Sequence, residues 1–233
     1  MAEYDVQLWR AEVSANEAGL GRLEALLPPE EVEAASRFQF PAGRARFIIG
    51  RSMLRSTLSR THGIDPNLIE VEIAAGGKPH LAGEAASGGW QFNLSHSGDI
   101  VLLALGQKVQ LGIDVERVRP LDRRDQIAAG ILSRAQNQQF LALDEEHRQL
   151  TFFHVWTQKE SIIKATGQGL AVPLSEIDVS ISLDRTQLIR WGDDLHPTAW
   201  ELQPVDCGPQ YFAALAADRP VNFDQPRCWS MLT

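Results

Sequence analysis

The chain of 233 residues carries 22 Lys and Arg against 30 Asp and Glu, a formal net charge of −8, with 44% apolar and 7% aromatic residues. An acidic balance argues against a nucleic-acid binder, and the apolar fraction is too high for an intrinsically disordered chain. The length suffices for one large or two small domains that bury roughly 70% of the unfolded surface.

Cys207 and Cys228 form no CxxC or Cys/His cluster, so neither a disulfide framework nor a zinc site is expected, and a reducing, cytoplasmic setting fits best. The start, MAEYDVQLWRAEVSANE, has no basic stretch leading into an apolar core. Runs such as Ile100 to Leu105 are too short to span a bilayer, so no membrane partner is expected.

Tyr4 to Arg10 alternates as a strand does, and the acidic stretch from Glu24 to Glu33, with Pro28 and Pro29, leads towards helical sequence. Arg44 to Thr61 reads as a helix stopped at His62-Gly63, and Leu68 to Ala74 as a half-buried strand. After a Gly- and Ala-rich loop from Ala75 to Gly89 come two strand signals, Ile100 to Leu105 and Val109 to Arg117, close enough for a hairpin. Helices are expected over Gln126 to Leu143 and Gln149 to Thr166, then strands at Ile177 to Leu183, Ala199 to Val205 and Tyr211 to Ala217. Each half is a helical stretch plus a few mostly antiparallel strands, an α+β arrangement. The likeness of DIVLLAL (99–105) to QYFAALA (210–216) raises the question of a duplicated unit.

In LGIDVERV the strand period puts Leu111, Ile113 and Val115 on one face and Gly112, Asp114 and Glu116 on the other. Carboxylates about 7 Å apart repel by about 2.4 kcal/mol at an effective dielectric of 20 but about 0.6 in water. An exposed pair is therefore a solvated face, and a sheltered pair calls for a divalent cation such as Mg²⁺. In TFFHVWTQKESIIKATG (151–167), Phe152, Val155, Trp156, Ile162 and Ile163 form an apolar arc when wound as a helix, with Glu160 at its border and Lys164 one turn on. Such a pair is either a surface i,i+4 contact or a sheltered carboxylate that must be bound to a lysine, a metal or both. Phe92 to Asp99, FNLSHSGD, holds either a phosphate or only its own backbone. No GxSxG elbow supports a hydrolase, and Gly76-Gly77-Lys78-Pro79 is not a P-loop.

Together, GKP at Gly77 to Pro79, FNLSHSGD, GIDVE at Gly112 to Glu116 and WxxKExxxKxxG at Trp156 to Gly167 resemble, in order, the motifs of the Sfp-type 4′-phosphopantetheinyl transferases. The resemblance implies a pseudo-dimer of two similar α/β halves with coenzyme A between them. The halves fall here at residues 1–108, on the 3′-phosphate side, and 109–233, on the metal-binding and catalytic side. It implies an enzyme that moves the phosphopantetheine arm of coenzyme A to a serine of an apo acyl or peptidyl carrier protein, releasing adenosine 3′,5′-bisphosphate. The trimeric short class is disfavoured by chain length, so a monomer is expected. A non-catalytic coenzyme A or nucleotide-binding module is the alternative.

Residue by residue, Asp114, Glu116 and Glu160 match the family's Mg²⁺ ligands and Lys164 its lysine on the diphosphate. Ser95, His96 and Lys78 match contacts to the 3′-phosphate or diphosphate of coenzyme A. Arg51, and more loosely Arg44, match arginines on the 3′-phosphate. Glu160, directly or through a metal-bound water, is expected to take the proton of the carrier serine, with Glu116 the competing base and Lys164 supporting the diphosphate. The chain departs from the family pattern at Gln136, where many members have an acid, and at Glu31 and Ala34, where some have lysines; the second departure shifts the burden to the arginines.

The charge is uneven along the chain. Residues 1–40 hold eight acids and three arginines, whereas residues 41–64 hold Arg44, Arg46, Arg51, Arg55 and Arg60 with no acid. Residues 117–134 hold five arginines against Asp122 and Asp125. The first basic stretch is expected to face the 3′-phosphate. The second, through Arg123 and Arg124, is expected to dock the carrier's acidic helix.

Overall fold

Two 22-residue helices organise the molecule, each delimited by its own end signals. The computed structural model describes residues 4–192 and 200–230. In it the first half runs β1 (Tyr4–Glu12), α1 (Val13–Asn16), α2 (Leu20–Glu24), α3 (Pro29–Ser36), α4 (Pro41–His62), β2 (Glu70–Ile73), β3 (Pro79–Ala82), α5 (Gly83–Ser87), β4 (Trp90–Ser97) and β5 (Ile100–Gln107). The chain continues through β6 (Leu111–Arg117), α6 (Arg124–Ile131), α7 (Arg134–Leu141), α8 (Glu145–Thr166), β7 (Ile177–Val179), β8 (Leu188–Trp191), β9 (Glu201–Pro204), β10 (Tyr211–Ala217), β11 (Val221–Asn222) and β12 (Arg227–Cys228).

Helix α4 starts on Pro41, whose missing N–H costs nothing in the first turn. Helix α8 starts at Asp144, whose carboxylate accepts the His147 N–H at 2.9 Å. Both end on a glycine in the left-handed region, Gly63 at φ 67° and Gly167 at φ 70°.

The described strands form one sheet in the order β11-β1-β5-β4, with β12 also on β1, and a second in the order β6-β10-β9. Strand alternation makes β5 a shared wall. Val101, Leu103 and Leu105 pack under α4 with Ile48, Met53, Leu54 and Phe92, whereas Ile100, Leu102 and Ala104 meet Ile113, Val115 and Leu215 of the second sheet. Helix α8 covers the far side of that sheet through Ile162 and Ala165 against Ala216. DIVLLAL and QYFAALA become β5 and β10, each between two partners in its own sheet.

The expected β5–β6 hairpin is not formed: β5 pairs with β4 and β1, and β6 with β10. The tight turn lies one strand earlier, at Gly98 with φ 56°, so FNLSHSGD is a strand and its turn. That turn is pinned by Ser14, which donates to both Asp99 carboxylate oxygens at 2.9 and 2.6 Å, and by Arg46, which donates to the Gly98 carbonyl at 2.7 and 3.1 Å. The segment after β5 crosses between sheets.

The single helix expected over 126–143 is split, because Leu132 is extended and the Ser133 hydroxyl accepts the Gln136 N–H to start α7 afresh. β7 and β9 are shorter than expected, and Ala199 lies outside the described residues. β3, α5 and β8 fall where no periodicity signalled them. β11 and β12 return to pair in parallel with β1, at Tyr4 with Val221 and Trp9 with Arg227.

Candidate active site

Gly112 allows the site to form. A Cβ there would overlap the Ser161 carbonyl oxygen and the Ala165 nitrogen, so β6 and α8 touch backbone to backbone at this point. The close approach places the next residue on that face, Asp114, against Lys164. The Lys164 ammonium donates to Asp114 Oδ1 at 2.6 Å, to Ser95 Oγ at 3.0 Å and to the Ile113 carbonyl at 3.3 Å.

Asp114 is 5% exposed, and its Oδ2 has no partner. Burial raises its pKa, Glu116 adds to the rise, and Lys164 and Ser95 oppose it. Glu160, half-buried beside it, accepts no hydrogen bond and makes no ion pair among the described residues. Its pKa is raised by burial first and then by Asp114 and Glu116, with Lys164 opposing. Lys164 thus bonds Asp114 rather than Glu160, its helix neighbour. Glu116 Oε2 accepts from Ser97 Oγ at 2.6 Å and from the exposed Arg119 at 3.2 Å.

Strand β4 supplies the opposite wall. Asn93, Ser95 and Ser97 face β6, while His96 lies on the α4 side near Arg46. His96 is exposed, yet crowding of the ring by protein lowers its pKa, with a backbone hydrogen bond and Glu116 opposing and Arg46 and Lys164 adding to the fall. A cavity of about 260 Å³ opens between the walls, lined by Gly76, Gly77, Lys78, Asn93, Glu160 and Lys164 among others. Gly76 closes one end against the Gly167 carbonyl, where a Cβ would overlap.

The basic residues expected on phosphate are differently placed. Lys78 lines the cavity, but its ammonium donates to the Leu111 and Ala165 carbonyls at 3.0 and 2.9 Å, and burial lowers its pKa to about 8. Arg44 pairs with Glu24 at 2.5 Å. Arg51 is 8% exposed, lies 3.7 Å from Glu31 and sits over the Phe47 ring. Burial lowers its pKa, Glu31 opposes, and Arg55 adds to the fall. Glu31 also accepts from Arg55 at 2.9 Å. The acid that stands where some relatives have lysine therefore holds two of the arginines as a buried cluster, and Arg46 is the cation of this helix set beside His96.

Gln136 answers the other departure. Lys159, fully buried, donates to the Ile131 carbonyl at 2.7 Å, Gln136 Oε1 at 2.8 Å and the Leu174 carbonyl at 3.0 Å, while Gln136 Nε2 donates to the Val179 carbonyl at 2.6 Å. Burial without a contacting carboxylate pulls the Lys159 pKa down to about 7. An amide here satisfies both a donor and an acceptor.

Arg124 belongs to the scaffold instead of the surface. Its guanidinium bonds Glu145 at 2.8 and 3.0 Å and Asp125 at 2.8 Å, and lies over the Phe140 ring. Arg124→Ala is expected to destabilise by about 1–3 kcal/mol. Thermal unfolding checks this, and an unchanged melting temperature would return Arg124 to the docking surface.

Beside Glu116 an apolar cup of about 110 Å³ is lined by Leu121, Ile127, Phe152, Phe153 and Trp156, with Arg119 over Phe153. Sequence reading missed this cup because its walls come from α8, α6 and the loop between β6 and α6. It likewise missed the pairing of Asn93, Ser95 and Ser97 with β6.

Among the described residues no three acids or histidines converge into a ready metal cage. The donor set nonetheless suits a hard cation. Three carboxylates repel one another, a buried Asp114 oxygen is unpartnered, and Glu160 has a free carboxylate.

Residues 110–216 match the 4′-phosphopantetheinyl transferase superfamily, and residues 12–108 match the N-terminal family of 4′-phosphopantetheinyl transferases. The chain belongs to the 4′-phosphopantetheinyl transferase superfamily. The 4′-phosphopantetheinyl transferase HetI of Nostoc sp. is 37% identical over 178 residues, 76% of this chain and 75% of its own. The 4′-phosphopantetheinyl transferase Sfp of Bacillus subtilis is 31% identical over 199 residues, 85% of each chain. The human L-aminoadipate-semialdehyde dehydrogenase-phosphopantetheinyl transferase is 29% identical over 211 residues, 83% of this chain and 68% of its own. The solved holo-[acyl-carrier-protein] synthase (AcpS) of Thermotoga maritima aligns with a TM-score of 0.38 at 20% identity, over 47% of this chain and 62% of that one. No helix among the described residues is long and apolar enough to cross a membrane.

Proposed function

We propose that this protein moves the 4′-phosphopantetheine arm of coenzyme A to a serine of an apo acyl or peptidyl carrier protein, releasing adenosine 3′,5′-bisphosphate. The observation that carries the reading is the contact of Asp114 with Lys164, beside a free Glu160 and at the seam between β4 and β6, in a chain of this family. The serine oxygen bonds to the phosphorus that bears the pantetheine arm. The phosphorus–oxygen bond to the adenosine bisphosphate breaks, and the serine proton leaves to a base.

Glu160 is our candidate base. Burial and two neighbouring acids raise its proton affinity, with Lys164 opposing, and a carboxylate of raised pKa is the better proton acceptor. Lys164 would hold the diphosphate, with His96 and Arg46 towards the 3′-phosphate; Lys164 and Arg46, like Lys78, Arg44 and Arg51, would exchange present partners to do so. Asp114, Glu116 and Glu160 would hold Mg²⁺, which when bound supplies positive charge to the diphosphate oxygens.

The carrier is proposed to dock over the apolar cup next to Glu116, with Arg119 and Arg123 facing its acidic surface. A division near residue 108, a monomer and a cytoplasmic setting complete the reading.

Mass spectrometry of apo carrier proteins incubated with coenzyme A, Mg²⁺ and the protein should show the gain of one phosphopantetheinyl group. No gain on any of a panel of carriers would overturn the transferase reading. Glu160→Gln is expected to lower kcat by about 10²–10⁴, and full kcat at saturating Mg²⁺ would remove Glu160 as the base.

A further inference from the structure

Among the described residues the edge of β6 turned away from β10 has no strand partner, yet its N–H groups are not bare. Ile113 donates to Asn93 Oδ1 at 2.8 Å, Val115 to Ser95 Oγ at 3.2 Å and Arg117 to Ser97 Oγ at 3.0 Å. The constant separation of 20 residues means that β4 runs parallel to β6 and pairs with it through alternate side chains instead of through its backbone. A serine hydroxyl has a single hydrogen to give. At Ser97 one oxygen lone pair accepts the Arg117 N–H, and the single hydrogen goes to Glu116 Oε2 at 2.6 Å.

We propose that Ser97 is a positioning residue. Its hydroxyl, oriented by the Arg117 amide, fixes the carboxylate of Glu116, so that the N-terminal half aims an acid of the C-terminal half. The other donor to Glu116 Oε2, Arg119, is 52% exposed and 3.2 Å away, too loose and too solvated to hold the carboxylate by itself. Ser97 is buried and its contact is short, so water cannot readily replace it. Ser95 repeats the arrangement one pleat earlier, accepting from Val115 and donating to Asp114 Oδ1 at 2.9 Å. This places the hydroxyl hydrogen of each serine on a carboxylate.

The inference rests on the reading of Glu116 as a functional acid, and its test separates the two. In crystal structures of the wild-type protein and Ser97→Ala, we expect the Glu116 side chain to leave its position in the variant and to keep it in Ser97→Thr, which retains the hydroxyl. Calorimetric titration with Mg²⁺ alone should show binding weakened about 10–100-fold in Ser97→Ala and largely restored in Ser97→Thr. With carrier present, kcat should fall while KM for coenzyme A holds. A Glu116 carboxylate unmoved in Ser97→Ala overturns the proposal, as does a loss of melting temperature with kcat and Mg²⁺ binding unchanged. If Glu116 moves but the wild-type protein modifies no carrier, the positioning role stands and the transferase reading falls.

Discussion

Replacing Lys164 by methionine is expected to lower kcat by about 10²–10³, the usual consequence of removing one charged donor aimed at developing negative charge. Stability should fall as well, in a way that identifies the cause. Asp114 is buried, and among the described residues Lys164 is the only cation bonded to it. Breaking a buried pair by deleting one partner costs about 3–5 kcal/mol. Lys164 keeps 29% of its side chain in solvent, so about 2–4 kcal/mol is the fitting range here.

The sign with pH follows from linkage. Without Lys164 the already raised pKa of Asp114 rises further, so the folded variant holds a proton that the unfolded chain releases. Stability then declines as pH climbs from the unfolded carboxylate value through the folded one. Melting temperatures of the variant and the wild-type protein should therefore lie close together near pH 4 and diverge by pH 7. Equal deficits at both values would show that the loss is packing and not an uncompensated charge.

Gly112→Ala is expected to be the most damaging substitution of one hydrogen by a methyl group in this chain's core. The new Cβ meets backbone of α8 at Ser161 and Ala165, and backbone cannot rotate aside. Separating β6 from α8 should cost about 3 kcal/mol or more. It also carries Glu160 and Lys164 away from Asp114, and a shift of about 1 Å at reacting groups lowers turnover roughly 10²-fold. Gly130→Ala in α6 is the internal control, since nothing lies within 4 Å of its Cβ and a helical alanine is favoured by about 0.5–1 kcal/mol. A Gly112→Ala protein with wild-type melting temperature and turnover would show that the contact between β6 and α8 is adjustable.

Much of the candidate site could be read from local pattern because local geometry carries it. The two-residue period of GIDVE does place Asp114 and Glu116 on one face, with Asp114 buried and Glu116 partly so, which is the sheltered case in which we propose a cation. The stop signals at Gly63 and Gly167 act within a turn of their own residues, so the ends of α4 and α8 were legible to within a position, while their starts at Pro41 and Glu145 came three and four residues earlier than expected.

The partners of charged side chains were not legible in the same way. The run of five arginines at 44–60 looked uniformly available. Glu31, which precedes α4 by only ten residues, instead draws Arg51 and Arg55 inward, and Glu24 takes Arg44. Arg124 looked like a docking residue until α6 and α8 packed and gave it Glu145 and a place over Phe140. Charge counts average over sites whose pairing is decided by distances across elements, and those distances are tertiary.

The hairpin between β5 and β6 failed for the same reason: a short connection permits antiparallel pairing, but neighbouring strands compete for an edge. β4 and β1 take both edges of β5, and β10 takes β6. What the sequence determined by itself was the set of candidate groups for the chemistry, since motif spacing, strand period and helix caps depend only on neighbours along the chain. What the tertiary structure alone decided was which of those groups are free. Burial and cross-element hydrogen bonds left Glu160 unpartnered among the described residues, assigned Lys164 to Asp114, and gave the serines of Ser95-His96-Ser97 to the carboxylates of β6.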